Sequence, residues 1–346
     1  MPEEAALSLG RLAAGGRDGQ PVLAGESAPA PTPGQDGPLA LEPSRCCICD
    51  DDDADPLGVG EDFEYYTSPD TFLAMRCRTC GLIYLNPRPA AAEFERIYPP
   101  TYHAFDFSAA RFGLAFRVRR RLEASRLLWA CRDVQPGGRI VDVGCGDGFH
   151  LDILREHGKP GWVLEGIDAD ERAARAAERR GFRIHRGFAE HVSLAGEDYD
   201  VAFLIQTVEH LANPPRVLTA IHSMLRPGGR LVIVTDNSDS VDRQLFGGRH
   251  WGGYHFPRHW NLFNASTLRG LAMKTGFHVR SLDTLVSPVN WVYSLRNLLV
   301  DYHAPTWMVE QFSLASPLSL AAFTGLDALL QLAGRGALLR AVLERP

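Results

Sequence analysis

The 346-residue sequence has no excess of positive charge: 36 Lys and Arg stand against 42 Asp and Glu, a formal net charge of -6. No overall field therefore draws it to nucleic acid or another polyanion, and nucleic acid is not an expected partner. It also lacks a basic start followed by a continuous apolar segment, the pattern of an export signal. No run of roughly 18 apolar residues is uninterrupted, as a membrane span requires; Leu318–Ala333 comes nearest and contains Asp327 and Gln331. These absences predict a cytoplasmic protein. With 45% apolar and 23% charged residues the composition is that of a globular chain, long enough for more than one core.

Residues 1–44 mix Ala, Gly and Pro, with "APAPTPGQDGP" near their end. Such a segment cannot bury enough apolar surface to offset its ordering entropy, and it is expected to be a disordered leader. The next residues, 45–98, hold five of the seven cysteines. "RCCICD" and "MRCRTCGLIYLNPRP" supply Cys46, Cys49, Cys77 and Cys80 as two C-x-x-C pairs. In a chain without an export signal such pairs read as metal ligands before disulfides. Two-residue spacing lets both thiolates of a pair reach one ion, and two pairs complete the tetrahedral shell of structural Zn2+. Gly81 after the second pair and Asp50 after the first suit the positive φ of a tight turn. The expectation is a zinc ribbon with a 27-residue gap between its pairs, Cys47 spare and the acidic run Asp50–Asp53 a solvated loop. A closed four-thiolate shell serves folding rather than catalysis.

Residues 99–137 read as a connector built on an amphipathic helix from Arg111 to about Cys131. Its arginines, Arg117, Arg119, Arg120, Arg121 and Arg126, suit a solvated face or, alternatively, a phosphate-bearing substrate. Beyond it, "GGRIVDVGCGDGFHLDIL" passes from a β-branched strand through Gly144, Gly146 and Gly148 into a helix. This G-x-G-x-G has Phe149 where the dinucleotide fingerprint needs its third glycine. S-adenosylmethionine (SAM) carries a sulfonium, an ammonium and a carboxylate but no phosphate, and Asp142 at the strand's end suits that cationic group. In "GWVLEGIDADERAARAAERRGF" a second strand ends at Asp168, placed to accept both ribose hydroxyls, while Asp170 suits the helix cap. A third strand in "FRIHRGFAEHV", then strand, helix and strand in "YDVAFLIQTVEHLANPPRVLTAIHSMLRPGGRLVIVT", complete an alternating α/β pattern. That pattern implies a doubly wound, Rossmann-like parallel sheet with ligand at the strands' carboxyl ends.

Residues 138–282, carrying "VDVGCGDG", "GIDAD" and "FLIQTVEHLANPPRVLTAIHSMLRPGGRLVIVT", resemble the class I SAM-dependent methyltransferases. The resemblance implies that Asp142, Gly144 and Gly146 line the donor's methionine end, that Asp168 holds the ribose, and that Ala189 and Glu190 flank the adenine. It places Gln206 in the donor pocket and makes Glu209 and His210 a structural pair. Phe188 stands where relatives often carry Asp.

The cysteine module before this core resembles the subgroup of deoxysugar C-methyltransferases and saccharide or natural-product methyltransferases, whose catalytic histidine follows the fifth strand. In "GGYHFPRHWNLF", His259 matches it, with Phe256 and Arg258 replacing a tyrosine and an acidic residue. His259 is the expected general base, Tyr254 and His255 are alternatives, and Arg258 is expected to pair with an anionic substrate group. If His259 is not the base, it bonds a backbone carbonyl and pins the loop. Residues 283–346 read as a Leu/Ala-rich helical extension in place of the subgroup's second lobe, suited to a dimer or peripheral membrane contact. The expected function is O- or C-methylation of a small-molecule acceptor: a saccharide, nucleotide-sugar, natural product or lipid-linked intermediate. The alternatives are an RNA methyltransferase and a catalytically inactive SAM-binding scaffold.

Overall fold

A computed structural model describes residues 37–99, 102, 109–192 and 198–346. Most of the expected leader, residues 1–36, lies outside the described residues. The N-terminal module begins with β1 (Leu41–Glu42), β2 (Ala54–Gly60), β3 (Phe72–Cys77), β4 (Ile83–Leu85) and β5 (Arg88–Pro89). Strands β2, β3 and β4 form an antiparallel sheet, and β1 pairs separately with β5. The connector contains a helix over Ala109–Ala130, near the expected span. Its Arg120 pairs with Asp152 and Glu156 on the next helix, so part of the basic face is spent within the fold.

The central sheet follows, with β6 (Arg139–Val143), β7 (Val163–Asp168), β8 (Arg183–Arg186), β9 (Tyr199–Ile205) and β10 (Leu225–Asp236) all parallel. Ile140, Val141 and Val143 are buried in β6, as a strand covered by helices on both faces requires. The order β8-β7-β6-β9-β10 reverses direction beside β6, and helices Phe149–His157, Glu171–Arg179 and Pro214–Met224 connect the strands. Asp170 caps the second of these, accepting from the backbone N–H of Arg172 and Ala173. The point of reversal is where an open α/β sheet leaves a crevice for ligand.

The last part of the chain differs from expectation. Helices form over Val289–Asp301, Thr306–Glu310 and Pro317–Leu332, but Leu338–Glu344 is a strand, β13. It lies between β10 and β12 (His278–Leu285), antiparallel to both. A Leu/Ala-rich run reads as helix by composition; here the gap between β10 and β12 buries both of its faces, which favours the strand. The methyltransferase sheet therefore extends past the expected boundary at residue 282. Asp327 fastens the helix before it, accepting from the backbone N–H of Ser287 and Ala337 and from Trp291 Nε1. Among the described residues no helix is long and apolar enough to cross a membrane.

The stretch 252–263 is a short helical turn at Gly252–Tyr254, a turn, and then β11 (Asn261–Leu262). Strand β11 joins the edge of β4, so the histidine loop becomes the fourth strand of the N-terminal sheet. The two segments also share a core: Phe72, Ile83 and Leu85 of the module pack with Trp251, Tyr254, Phe256 and Trp260 of the loop. At its centre Arg258 donates to both Asp62 oxygens, at 3.1 and 2.8 Å, and to the carbonyls of Ile97 and Phe256. Both side chains are fully buried. Burial by itself would raise the Asp62 carboxyl, but Arg258 prevails and brings it down to about 2.

Arg258 therefore cannot pair with an anionic substrate as expected; its guanidinium is consumed by Asp62. Asp62→Ala leaves that guanidinium buried without its partner, and a loss of about 3–5 kcal/mol is expected from chemical denaturation. Asp62→Asn, which keeps the acceptor oxygen, should lose less.

Candidate active site

The glycine loop is built by three left-handed glycines, with φ of 77° at Gly144, 55° at Gly146 and 84° at Gly148. The N–H groups of Gly144 and Cys145 donate to the Ile167 carbonyl, tying the loop to β7. Asp168, at the carboxyl end of β7, accepts from Gly146 N at 2.7 Å and from Asp170 N at 2.8 Å. Burial pushes its carboxyl up to about 6. It thus has a scaffolding role that the sequence did not show, which leaves lone pairs for hydroxyl donors. Ala189 and Glu190 follow β8, the strand next to β7.

Asp142 is 1% exposed, and neither of its carboxylate oxygens has a hydrogen-bond partner. His150 Nδ1 lies 3.4 Å from it. A buried carboxylate without a donor is costly, and it suits a ligand that brings a cation or donor. His150 itself lines the cleft and was not singled out in the sequence. Gln206 has a left-handed backbone, φ 50°, and also lines the cleft. Such strain in a residue with a Cβ is concentrated at functional sites.

The cleft encloses about 1050 Å³ including its open mouth. The glycine loop, His150, Gln206 and Arg119 line it together with Glu64, His210, Asp236, His255, His259 and Asn290. Arg119, from the connector helix, holds its guanidinium 5.3 Å from the Phe149 ring centroid. One hollow therefore joins the glycine loop to the histidine loop.

His259 places Nδ1 2.8 Å from the Gly253 carbonyl and 3.4 Å from Asp236. Burial, then the neighbouring His210 and His255, hold its imidazole well below the usual histidine range, so it is neutral at physiological pH. The carbonyl contact suits Nδ1–H as the donor, leaving the lone pair on Nε2. His255 places Nδ1 2.7 Å from Glu64 Oε1, and its ring centroid lies 4.9 Å from that of His259. Tyr254, the third expected candidate, is not among the cleft-lining residues. Its hydroxyl donates to the Gly247 carbonyl and its ring stacks on Phe256, as one side of an apolar core demands.

His210, expected to be structural, lines the cleft; its Nδ1 lies 2.9 Å from the Tyr98 hydroxyl and 3.1 Å from the Arg258 carbonyl. Beneath it Glu209 is fully buried and accepts from Thr235 Oγ1. Burial raises the carboxyls of both Glu209 and Asp236, helped at Glu209 by the charge of Asp236 and at Asp236 by those of Asp242 and Glu64. Glu64, Asp236 and Asn290 were missed in the sequence. Of these, only Asp236 had a signal, standing at the carboxyl end of the fifth strand where ligands bind.

Among the described residues two groups of side chains have metal-ligand geometry: Cys46, Cys49, Cys77 and Cys80, and Glu209 with His210 and His259, each with its ligand atoms within 4.8 Å of one another. In the first, three Sγ–Sγ separations are 3.4 Å, near the roughly 3.8 Å of a tetrahedral shell with Zn–S near 2.3 Å. Asp50 and Gly81 adopt φ of 57° and 80°, the turn conformation expected after each pair. Cys47 lies outside the cluster.

A methyltransferase-domain family profile matches residues 93–282. A ubiquinone biosynthesis O-methyltransferase of Cereibacter sphaeroides is 32% identical over 180 residues, covering 48% of this chain and 72% of the relative. Its counterpart in Ruegeria pomeroyi is 30% identical over 186 residues, with 48% and 71% coverage. Among solved structures, phosphoethanolamine N-methyltransferase 2 of Haemonchus contortus with S-adenosyl-L-methionine aligns at 16% identity and a TM-score of 0.49. That alignment covers 76% of this chain and 63% of that one.

The glycine loop makes a graded prediction. A Cβ at Gly144 would lie 2.6 Å from the Thr207 side chain, whereas one at Gly146 meets nothing within 4 Å. Gly146→Ala should therefore cost only its left-handed strain, about 1–2 kcal/mol. Gly144→Ala should lower the thermal midpoint further, because the clash adds to the same strain.

Proposed function

Because the chain belongs to the methyltransferase-domain family and is a SAM-dependent methyltransferase, we propose that it methylates a hydroxyl of a small-molecule acceptor held beside the histidine loop. The observation that carries this reading is the continuous cleft running from the glycine loop to His255 and His259. Asp142, Gly144, Gly146 and Gln206 would hold the donor's methionine end, Asp168 its ribose, and Ala189 and Glu190 its adenine. The unpartnered Asp142 carboxylate supports that assignment. Bound there, the donor supplies a methyl carbon already activated by sulfonium.

What the chain must add is orientation, exclusion of water and a route for the acceptor's proton. His255 and His259 are the imidazoles that the histidine loop brings to the acceptor position in this reading. The relatives' names favour oxygen as the methylated atom. A wall of Glu64, Asp236, Asn290 and Gln206 favours an acceptor rich in hydroxyl donors, such as a saccharide, a nucleotide-sugar or a lipid-linked polyol.

Calorimetric titration with SAM and with S-adenosylhomocysteine tests the donor half, and mass-spectrometric methyl transfer across a panel of hydroxylated acceptors tests the other. Replacing both His255 and His259 by Asn should leave donor affinity intact and lower turnover roughly 10²–10⁴-fold. Near-normal turnover in that double variant removes the proton role from the loop.

The four-cysteine cluster is proposed to hold a structural Zn2+, which would lock the module that frames the acceptor side. Purified protein should contain about one zinc per chain, and Cys46→Ser with Cys77→Ser should abolish it. Zinc below about half an equivalent in freshly purified protein counts against the site.

A further inference from the structure

We infer that Glu64, delivered by the N-terminal module, is a positioning residue that makes His255 the proton acceptor of the methyl-transfer site. This deepens the proposed function and rests on it. Glu64 sits in the β2–β3 loop, and Asp62 folds that loop into a rigid turn by accepting from the backbone N–H of Tyr65 and Thr67, each at 3.0 Å. The same Asp62 is fixed by Arg258, and Arg296 holds the Phe63 carbonyl at 2.8 Å. Glu64 is thus clamped on both sides, with its carboxylate in the cleft wall.

Its partner is equally constrained. His255 has a left-handed backbone, φ 39° and ψ 43°, a conformation that residues with a Cβ seldom adopt. It is 8% exposed, lines the cleft, and meets Glu64 across 2.7 Å. An imidazole whose Nδ1–H donates to a buried carboxylate carries its lone pair on Nε2 and gains stabilisation of the imidazolium it becomes. His259 has the Gly253 carbonyl nearest its Nδ1, at 2.8 Å, with the Asp236 carboxylate farther off at 3.4 Å, and its burial among two other imidazoles weakens it as a base. Two imidazoles 4.9 Å apart thus differ in their orienting groups, and that difference assigns their roles.

The step balances as follows. The acceptor's O–H proton passes to His255 Nε2 while the oxygen pair forms the bond to the methyl carbon. The carbon–sulfur bonding pair leaves with sulfur, cancelling the sulfonium charge. The imidazolium, held by Glu64, then returns its proton to water.

The test uses the full chain, ¹⁵N-labelled at histidine, as wild type and as Glu64→Gln, Glu64→Asp, His255→Asn and His259→Asn. A carboxylate-bonded Nδ1–H gives a low-field proton resonance, which should vanish in Glu64→Gln and His255→Asn and persist in His259→Asn. Carbethoxylation of His255 by diethylpyrocarbonate, read by peptide mass spectrometry, should slow by about tenfold in Glu64→Gln. Recovery to within about threefold of wild type is expected in Glu64→Asp, which restores the carboxylate. An unchanged resonance and reaction rate in Glu64→Gln overturns the inference. So does a loss of the thermal midpoint as large as that of Asp62→Ala, since Glu64 would then be a structural clamp. None of these readouts needs donor or acceptor, so failure to bind SAM would sink the methyltransferase reading separately.

Discussion

The buried pair of Asp62 and Arg258 is the constraint on which the rest of the site depends. Two unit charges have been taken wholly out of water, an arrangement tolerable only when each satisfies the other and the remaining donors find carbonyls. Arg258 meets that condition through Asp62, Ile97 and Phe256, and Asp62 meets it through Arg258 and the backbone of its own turn. The consequence is rigidity. A loop that follows the fifth strand of the sheet cannot move without pulling a charge out of the module.

That bolt gives the N-terminal module a part in the cleft. The module lends its sheet edge to β11, its apolar residues to the aromatic core of the histidine loop, and Glu64 to the cleft wall. The methyltransferase sheet supplies the opposite wall, where the strand order reverses and the glycine loop leaves β6. Two layers that also share an apolar core thus meet across one hollow. The buried acids Glu209 and Asp236 lie at its floor, raised in pKa because burial leaves them little to stabilise their charge. Polar groups this dense are costly to stability, and the surrounding apolar cluster offsets that cost.

Much of the architecture was legible in the sequence because it depends on neighbours a few residues apart. Glycines at 144, 146 and 148 announce a left-handed loop, Pro214 and Pro215 open a helix, and Asp50 and Gly81 mark turns after their cysteine pairs. The strand at Leu338–Glu344 was not legible, since its seven residues satisfy helical composition as well. Its conformation is settled by the slot between β10 and β12, which exists only once the sheet has formed. Tyr254 misled for a related reason: an aromatic hydroxyl beside a histidine looks chemical until an apolar core claims the ring.

The sequence by itself determined the repeating strand and helix units, the left-handed glycine loop and the spacing of the four thiols. Each follows from local sterics and periodicity. Tertiary structure alone decided which groups face one another across the cleft. Glu64 and His255 are 191 residues apart, and Asp62 and Arg258 are 196 apart. No propensity or spacing couples positions at such a distance. They are brought together by the apolar surface that module and loop bury jointly, and buried charges then leave only the pairings in which each finds its partner.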